Sequence, residues 1–146
     1  SERRPTGFCI MDERCRIVEV KILYTDEEIL RETNSIKPKV IAIDAPLSLA
    51  KKWRAEDKFL LEMKFRPMPL SIKSIRELAK RGIRLKRILE KNGITVIETF
   101  PRAVQKILKI KGRKSHKFDS YLCSLAAKAF VKGNYTRKGN LVLPLG

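Results

Sequence analysis

Apolar and polar positions change their period several times along the chain, and each change marks an element. Residues 7–11, Gly-Phe-Cys-Ile-Met, make a short apolar run. Residues 15–24 alternate, with Val18, Val20 and Ile22 set against Ile17, Glu19 and Lys21. A period of two marks a half-buried strand. The polar Asp12-Glu13-Arg14 between the runs therefore predicts a hairpin. Thr25, with Glu28 three residues on, reads as a capping box. The helix it opens carries Ile29 and Leu30 and stops before Lys37-Pro38. Residues 40–43, Val-Ile-Ala-Ile, are continuously apolar, as in a strand covered on both faces.

Residues 48–64 predict a helix with Trp53, Phe59, Leu60 and Met63, and Arg66-Pro67-Met68-Pro69 breaks it. A long helix follows from Ser71 or Ser74 through Leu89, with Ile75, Leu78, Leu85 and Ile88 or Leu89 on its inner stripe. Gly82 is a point where it divides in two. Asn92-Gly93 turns the chain into a strand over 94–97, and residues 103–110 read as helical. Ser115 caps a last helix with the stripe Phe118, Leu122, Leu125 and Ala129. Gly133-Asn134 closes that helix. Leu141-Val142-Leu143 looks strand-like. The order predicts an α/β fold with a mixed sheet, an antiparallel hairpin on one side and parallel strands on the other. A chain of 146 residues fits one domain, spanning 1–146.

Charge changes this picture. Lys and Arg number 33 against 16 Asp and Glu, a net charge of +17. A high charged fraction is thermophile-like, but that leaves the sign imbalance unexplained. A surplus of positive charge attracts phosphate backbones or anionic membranes. No apolar run approaches the ~20 residues of a membrane span, and no basic amphipathic helix stands out. Nucleic acid is thus the expected partner, with no membrane. Three sparse cysteines, Cys9, Cys15 and Cys123, argue against a disulfide framework or a zinc site and read as small buried hydrophobes. With no secretory signal pattern, the expected compartment is a reducing cytoplasm.

Against this basic background, a few acids stand at chemically telling positions. Asp44 follows the 40–43 run and precedes Ala45-Pro46. Glu98 follows the 94–97 run and precedes Thr99-Phe100-Pro101. Acids at strand C-termini face the crevice where open α/β sheets bind ligands. Each also has a bland reading: Asp44 as a turn residue or helix cap, Glu98 as a partner for Arg102 or another of the many cations. Asp119 lies three residues beyond His116, the only histidine, so the two share the face of a helix start. There the helix dipole alone favours a negative charge. The cations Arg102, Lys106, Lys109, Lys111, Arg113, Lys114 and Lys117 run without an acid up to Asp119. Such runs are often solvated faces; flanking the carboxylates, this one reads as a phosphate track. A second basic group comprises Lys80, Arg81, Arg84, Lys86, Arg87 and Lys91. There is no Gly-rich phosphate loop, dinucleotide fingerprint or nucleophile elbow.

The segments Ile43-Asp44-Ala45-Pro46-Leu47-Ser48, Arg54-Ala55-Glu56-Asp57, Phe65-Arg66-Pro67-Met68-Pro69, Glu98-Thr99-Phe100-Pro101-Arg102-Ala103, His116-Lys117-Phe118-Asp119-Ser120 and Leu143-Pro144 carry a resemblance. With them the chain resembles an uncharacterised family of predicted nucleases with a ribonuclease H-like fold, distant relations of Holliday-junction resolvases. The resemblance implies a five-stranded mixed sheet flanked by helices. It implies acids from the first strand, the fourth strand and a late helix: Asp44 as the fourth-strand acid, His116 and Asp119 as the helix pair. Glu98 would add a carboxylate from the fifth strand. The family opens with a strand ending in Gly-Ile-Asp or similar, and Glu2 is no substitute for its acid. The expectation is therefore that the first strand is missing from this chain, its native N-terminus lying further upstream. Resolvase-like proteins are often dimers, which leaves room for a homodimer.

The expected chemistry is metal-dependent hydrolysis of phosphodiester bonds in DNA or RNA. Two Mg²⁺ or Mn²⁺ ions ~4 Å apart stabilise the attacking and leaving oxygens, and Asp44, Glu98 and Asp119 are the hard oxygen ligands such ions take. His116 would position water or protonate the leaving oxygen. Two rivals stand beside this reading. One is a non-catalytic nucleic-acid-binding module on the same fold; the other is a phosphotransferase, disfavoured by the missing phosphate loop.

Overall fold

The computed structural model describes residues 4–146. Glu2 lies outside the described residues. Strands β1 (Thr6–Met11) and β2 (Ile17–Leu23) pair antiparallel as the alternation predicts. Cys15 takes a left-handed backbone (φ 64°) in the turn between them. Helix α1 (Asp26–Ile36) starts at Thr25, whose hydroxyl accepts from the Glu28 N–H. Lys37 ends the helix in the left-handed region, where its N–H donates to the Thr33 carbonyl.

Strand β3 (Val40–Ile43) and strand β4 (Thr95–Glu98) are parallel neighbours, with Ile43 level with Glu98. The chain ends in β5 (Tyr135–Lys138) and β6 (Leu141–Pro144), an antiparallel pair. Strand β6 joins β4 in parallel, giving a mixed sheet of order β3-β4-β6-β5. The fold is therefore α/β with a mixed sheet flanked by helices. Two details differ from expectation. The hairpin forms its own two-stranded sheet rather than one side of the main one. Strand β3 is an edge strand of the described sheet and is only half-buried, although its unbroken apolar run reads as central. Strand β5 escaped the sequence pattern because Tyr-Thr-Arg-Lys is polar and its last two residues are exposed.

The sheet is packed on both faces. On one, Leu141 and Leu143 meet Ala103 and Val104 of α4 (Pro101–Leu108) and Leu122 and Ala126 of α5 (His116–Lys132). On the other, Ile41, Ile43 and Val96 meet Leu85 and Leu89 of α3 (Lys73–Lys91) and Leu30 of α1. Each fully buried leucine is worth about 1.5–3 kcal/mol relative to exposure, so these two clusters hold the layers together.

Helix α3 runs unbroken through Gly82. Its buried stripe is Ala79, Gly82, Leu85 and Leu89, and Ile88 faces solvent. Gly82 is there for contact: a Cβ would stand 3.0 Å from Leu47 Cδ2 and 3.3 Å from Ala45 Cβ. The loop after β3 lies that close to the helix. The helix predicted over 48–64 shrinks to α2 (Ala55–Glu62). Residues 48–54 stay irregular, with the Leu70 N–H bonded to the Lys52 carbonyl and Arg76 Nη2 to the Ala50 carbonyl. Helix α5 matches the predicted cap and stop: Ser115 Oγ accepts from the Phe118 N–H, and Gly133 closes with φ 75°. It packs against β1, β3 and β6 and so ties the hairpin to the main sheet.

Candidate functional site

The C-terminal ends of β3 and β4 lie side by side, and the Thr99 N–H donates to the Ile43 carbonyl. This brings Asp44 and Glu98 to one edge of the sheet, as the sequence reading expects. Their environments then diverge.

Glu98 is 4% exposed. Its Oε1 accepts from Arg54 Nη1 at 2.7 Å and from the Leu47 N–H at 2.9 Å. Its Oε2 accepts from Arg54 Nη2 at 2.7 Å. The same guanidinium reaches Asp57, Nη2 to Oδ1 at 2.9 Å and Nε to Oδ2 at 3.1 Å. Burial pushes Glu98 upward, against the pull of Arg54 and the Leu47 N–H. Burial pulls Arg54 down, but Glu98 and Asp57 reverse this and hold its guanidinium well above its ordinary range. Two short bonds between guanidinium and carboxylate hold both groups ionised at neutral pH. Both Glu98 oxygens are thus engaged within the protein. Its structural partner is Arg54, one of the other cations the sequence reading allows beside Arg102.

Asp44 is exposed, at the mouth of the strand. Dense protein nonetheless surrounds it. Loss of hydrating water, then the Asp119 charge, raises its carboxyl to about 6, against the pull of Lys114 and Arg102. The residue is still open to solvent, which screens its charge interactions. Asp119 comes from the first turn of α5, where its N–H bonds to the Ser115 carbonyl. Its side chain is 18% exposed and accepts from Arg102 Nη2. Arg102, on α4, also donates through Nη1 to Gln105 Oε1 at 2.5 Å and lies 5.9 Å from the Phe118 ring centre. Gln105 Nε2 in turn donates to the Gly112 carbonyl at 3.3 Å.

The fold therefore gathers Asp44, Asp119, Arg102 and Lys114. Lys111, Arg113, Lys114 and Lys117 are exposed on the loop and helix start beside them. Lys109 is the left-handed C-cap of α4, and Lys106 lies 5.6 Å from the Phe65 ring centre. His116 is exposed at the first position of α5. Cys123 is buried behind the acids, and burial, then Asp44 and Asp119, push its thiol well up. Cys9 and Cys15 are only half-buried, and all three cysteines are free.

Among the described residues, no three His, Cys, Asp or Glu side chains converge as metal ligands. Two hard oxygen donors, Asp44 and Asp119, are near enough for their charges to act on each other. That donor set suits one Mg²⁺ or Mn²⁺ completed by water and phosphate oxygens, since Mg²⁺ commonly takes one or two protein carboxylates. Glu98, held by Arg54, does not join it.

Sequence reasoning passed over Arg54 as an organising residue. The signal was Arg54 and Asp57 three apart at a helix start, but nothing local revealed that the third partner would be Glu98. Comparison with protein-family models, curated proteins and solved structures gives no match. No helix among the described residues is long and apolar enough to cross a membrane.

Proposed function

We propose that the protein is a metal-dependent nuclease of ribonuclease H-like type, hydrolysing nucleic-acid phosphodiester bonds at the end of β3. One observation carries the reading: two carboxylates, Asp44 and Asp119, repel each other beside Arg102 and Lys114 on a chain of charge +17. Such a pair is relieved by a bound cation, and the basic side chains are suited to the phosphates that would accompany it. Asp44 and Asp119 would hold Mg²⁺ or Mn²⁺, which supplies Lewis-acid polarisation of a phosphoryl oxygen. Lys111, Arg113, Lys114 and Lys117 would seat the backbone. Asp44, at the open end of β3, would also orient the attacking water. His116, exposed at the helix start, would return a proton to the leaving oxygen.

The test is cleavage of duplex, single-stranded, RNA–DNA hybrid and four-way-junction substrates, with and without Mg²⁺ or Mn²⁺, with Asp44→Asn alongside. The expected result is cleavage that needs the cation and is lost in the variant. The engagement of Glu98 by Arg54 favours a second reading, a nucleic-acid-binding module without catalysis. Salt-sensitive binding with no cleavage under any of these conditions would select that reading.

A further inference from the structure

The two arginine–carboxylate pairs of the site differ in kind. Arg54 and Glu98 have side chains 4% and 5% exposed and meet through two 2.7 Å bonds. Separating them would strand charge in the interior. Arg102 and Asp119 have side chains 34% and 18% exposed and meet through one nitrogen and one oxygen, Nη2 and Oδ1. Solvent-accessible pairs of this sort contribute only about 0–1 kcal/mol. A phosphodiester oxygen can therefore compete for Arg102, and a divalent cation can compete for Asp119.

These competitions are linked, because each ligand breaks the same ion pair. We propose that Arg102 is a positioning residue that couples the two ligands: it masks Asp119 in the free protein and exposes it to the cation on turning to a substrate phosphate. This rests on the nuclease reading and specifies how that site fills. Arg102 is placed for the exchange. Its Nη1 is bonded to Gln105, which is bonded to the Gly112 carbonyl, and Phe118, beneath the guanidinium, packs against Gly112. Arg102 thus lies between the acids and the loop that bears Lys111, Arg113 and Lys114. By linkage, the factor by which phosphate tightens cation binding is also the factor by which the cation tightens nucleic-acid binding.

The experiment measures Mn²⁺ affinity of the protein alone by electron paramagnetic resonance of the free ion. It uses the wild type, Arg102→Gln and Lys114→Gln. Fluorescence anisotropy then follows binding of a labelled oligonucleotide with and without Ca²⁺ at fixed ionic strength. The expected result is Mn²⁺ binding about tenfold tighter in Arg102→Gln. Lys114→Gln, which removes equal charge without freeing Asp119, should change it no more than about threefold. Ca²⁺ should tighten oligonucleotide binding to the wild type and not to Arg102→Gln. If Arg102→Gln does not fold, Arg102→Lys carries the same prediction at smaller size, because it loses the fork that spans Asp119 and Gln105. Equal Mn²⁺ affinity in wild type and Arg102→Gln, or equal gains in Arg102→Gln and Lys114→Gln, would overturn the inference and leave the nuclease reading standing. Absence of Mn²⁺ binding in every protein, with no cleavage, would remove both.

Discussion

Arg54 grips Glu98 with both terminal nitrogens, each at 2.7 Å, and holds Asp57 through Nη2 and Nε of the same side chain. This joins the end of β4 to the start of α2. Glu56 extends the network: its Oε2 accepts from the Asn140 N–H at 3.2 Å, just before β6. Loop, helix and two strands therefore meet at one buried charge cluster.

Removing Arg54 should accordingly be among the most damaging single changes. Arg54→Met leaves Glu98 and Asp57 buried without a counter-charge, at a cost of about 3–5 kcal/mol. Arg54→Lys keeps the charge but not the fork, and should also lose stability. Urea unfolding measures both; a loss under about 1 kcal/mol in Arg54→Met would show that the network is not an anchor.

Asp44 should lower stability when ionised. Its carboxyl titrates near 3.8 unfolded and about 6 folded, so the folded state binds the proton more tightly. Stability from this group is full below about pH 4 and declines as pH rises through 6. The exposed side chain is screened, so we expect Asp44→Asn to gain about 1 kcal/mol at pH 7 rather than the full value of the shift. Melting temperatures at pH 4 and pH 7 check this. A variant less stable than wild type at pH 7 would contradict the sign.

Gly7 lets β1 lie directly on the first turn of α5, where an added Cβ would overlap the His116 carbonyl. The obstacle is backbone, which cannot swing aside. Gly7→Ala should therefore cost about 1–3 kcal/mol and shift the helix start that carries His116 and Asp119. Thermal unfolding together with the His116 ring NMR signal reads both effects. An unchanged melting point and unchanged signal would show that hairpin and helix are not so closely packed.

The exposed loop cations should set the salt dependence of nucleic-acid binding. Replacing Lys111 or Lys114 with Gln should weaken binding of all sequences alike. Each replacement should also make the log–log salt slope shallower by about 1, because one phosphate is no longer neutralised. Identical slopes for wild type and both variants would place the phosphate track elsewhere.

The chain's own pattern determined most of the local structure. The β1–β2 alternation, the Thr25–Glu28 cap, the Ser115 cap and the Gly133 stop all depend on residues within a few positions of one another. The placement of Asp44 and Glu98 at strand ends also followed from sequence, because each closes an apolar run; that the two strands are neighbours came from the fold. Tertiary structure alone decided which acid stays open. Glu98 meets Arg54 across 44 residues, and Asp119 meets Arg102 across 17. It also decided that β3 lies at a sheet edge and that β5 pairs at all, since a polar strand is stabilised by its neighbour β6 and not by its own pattern. Local periodicity records which face of a segment avoids water; it carries no record of which distant charge arrives to neutralise a given carboxylate, and that pairing sets the chemistry left to each acid.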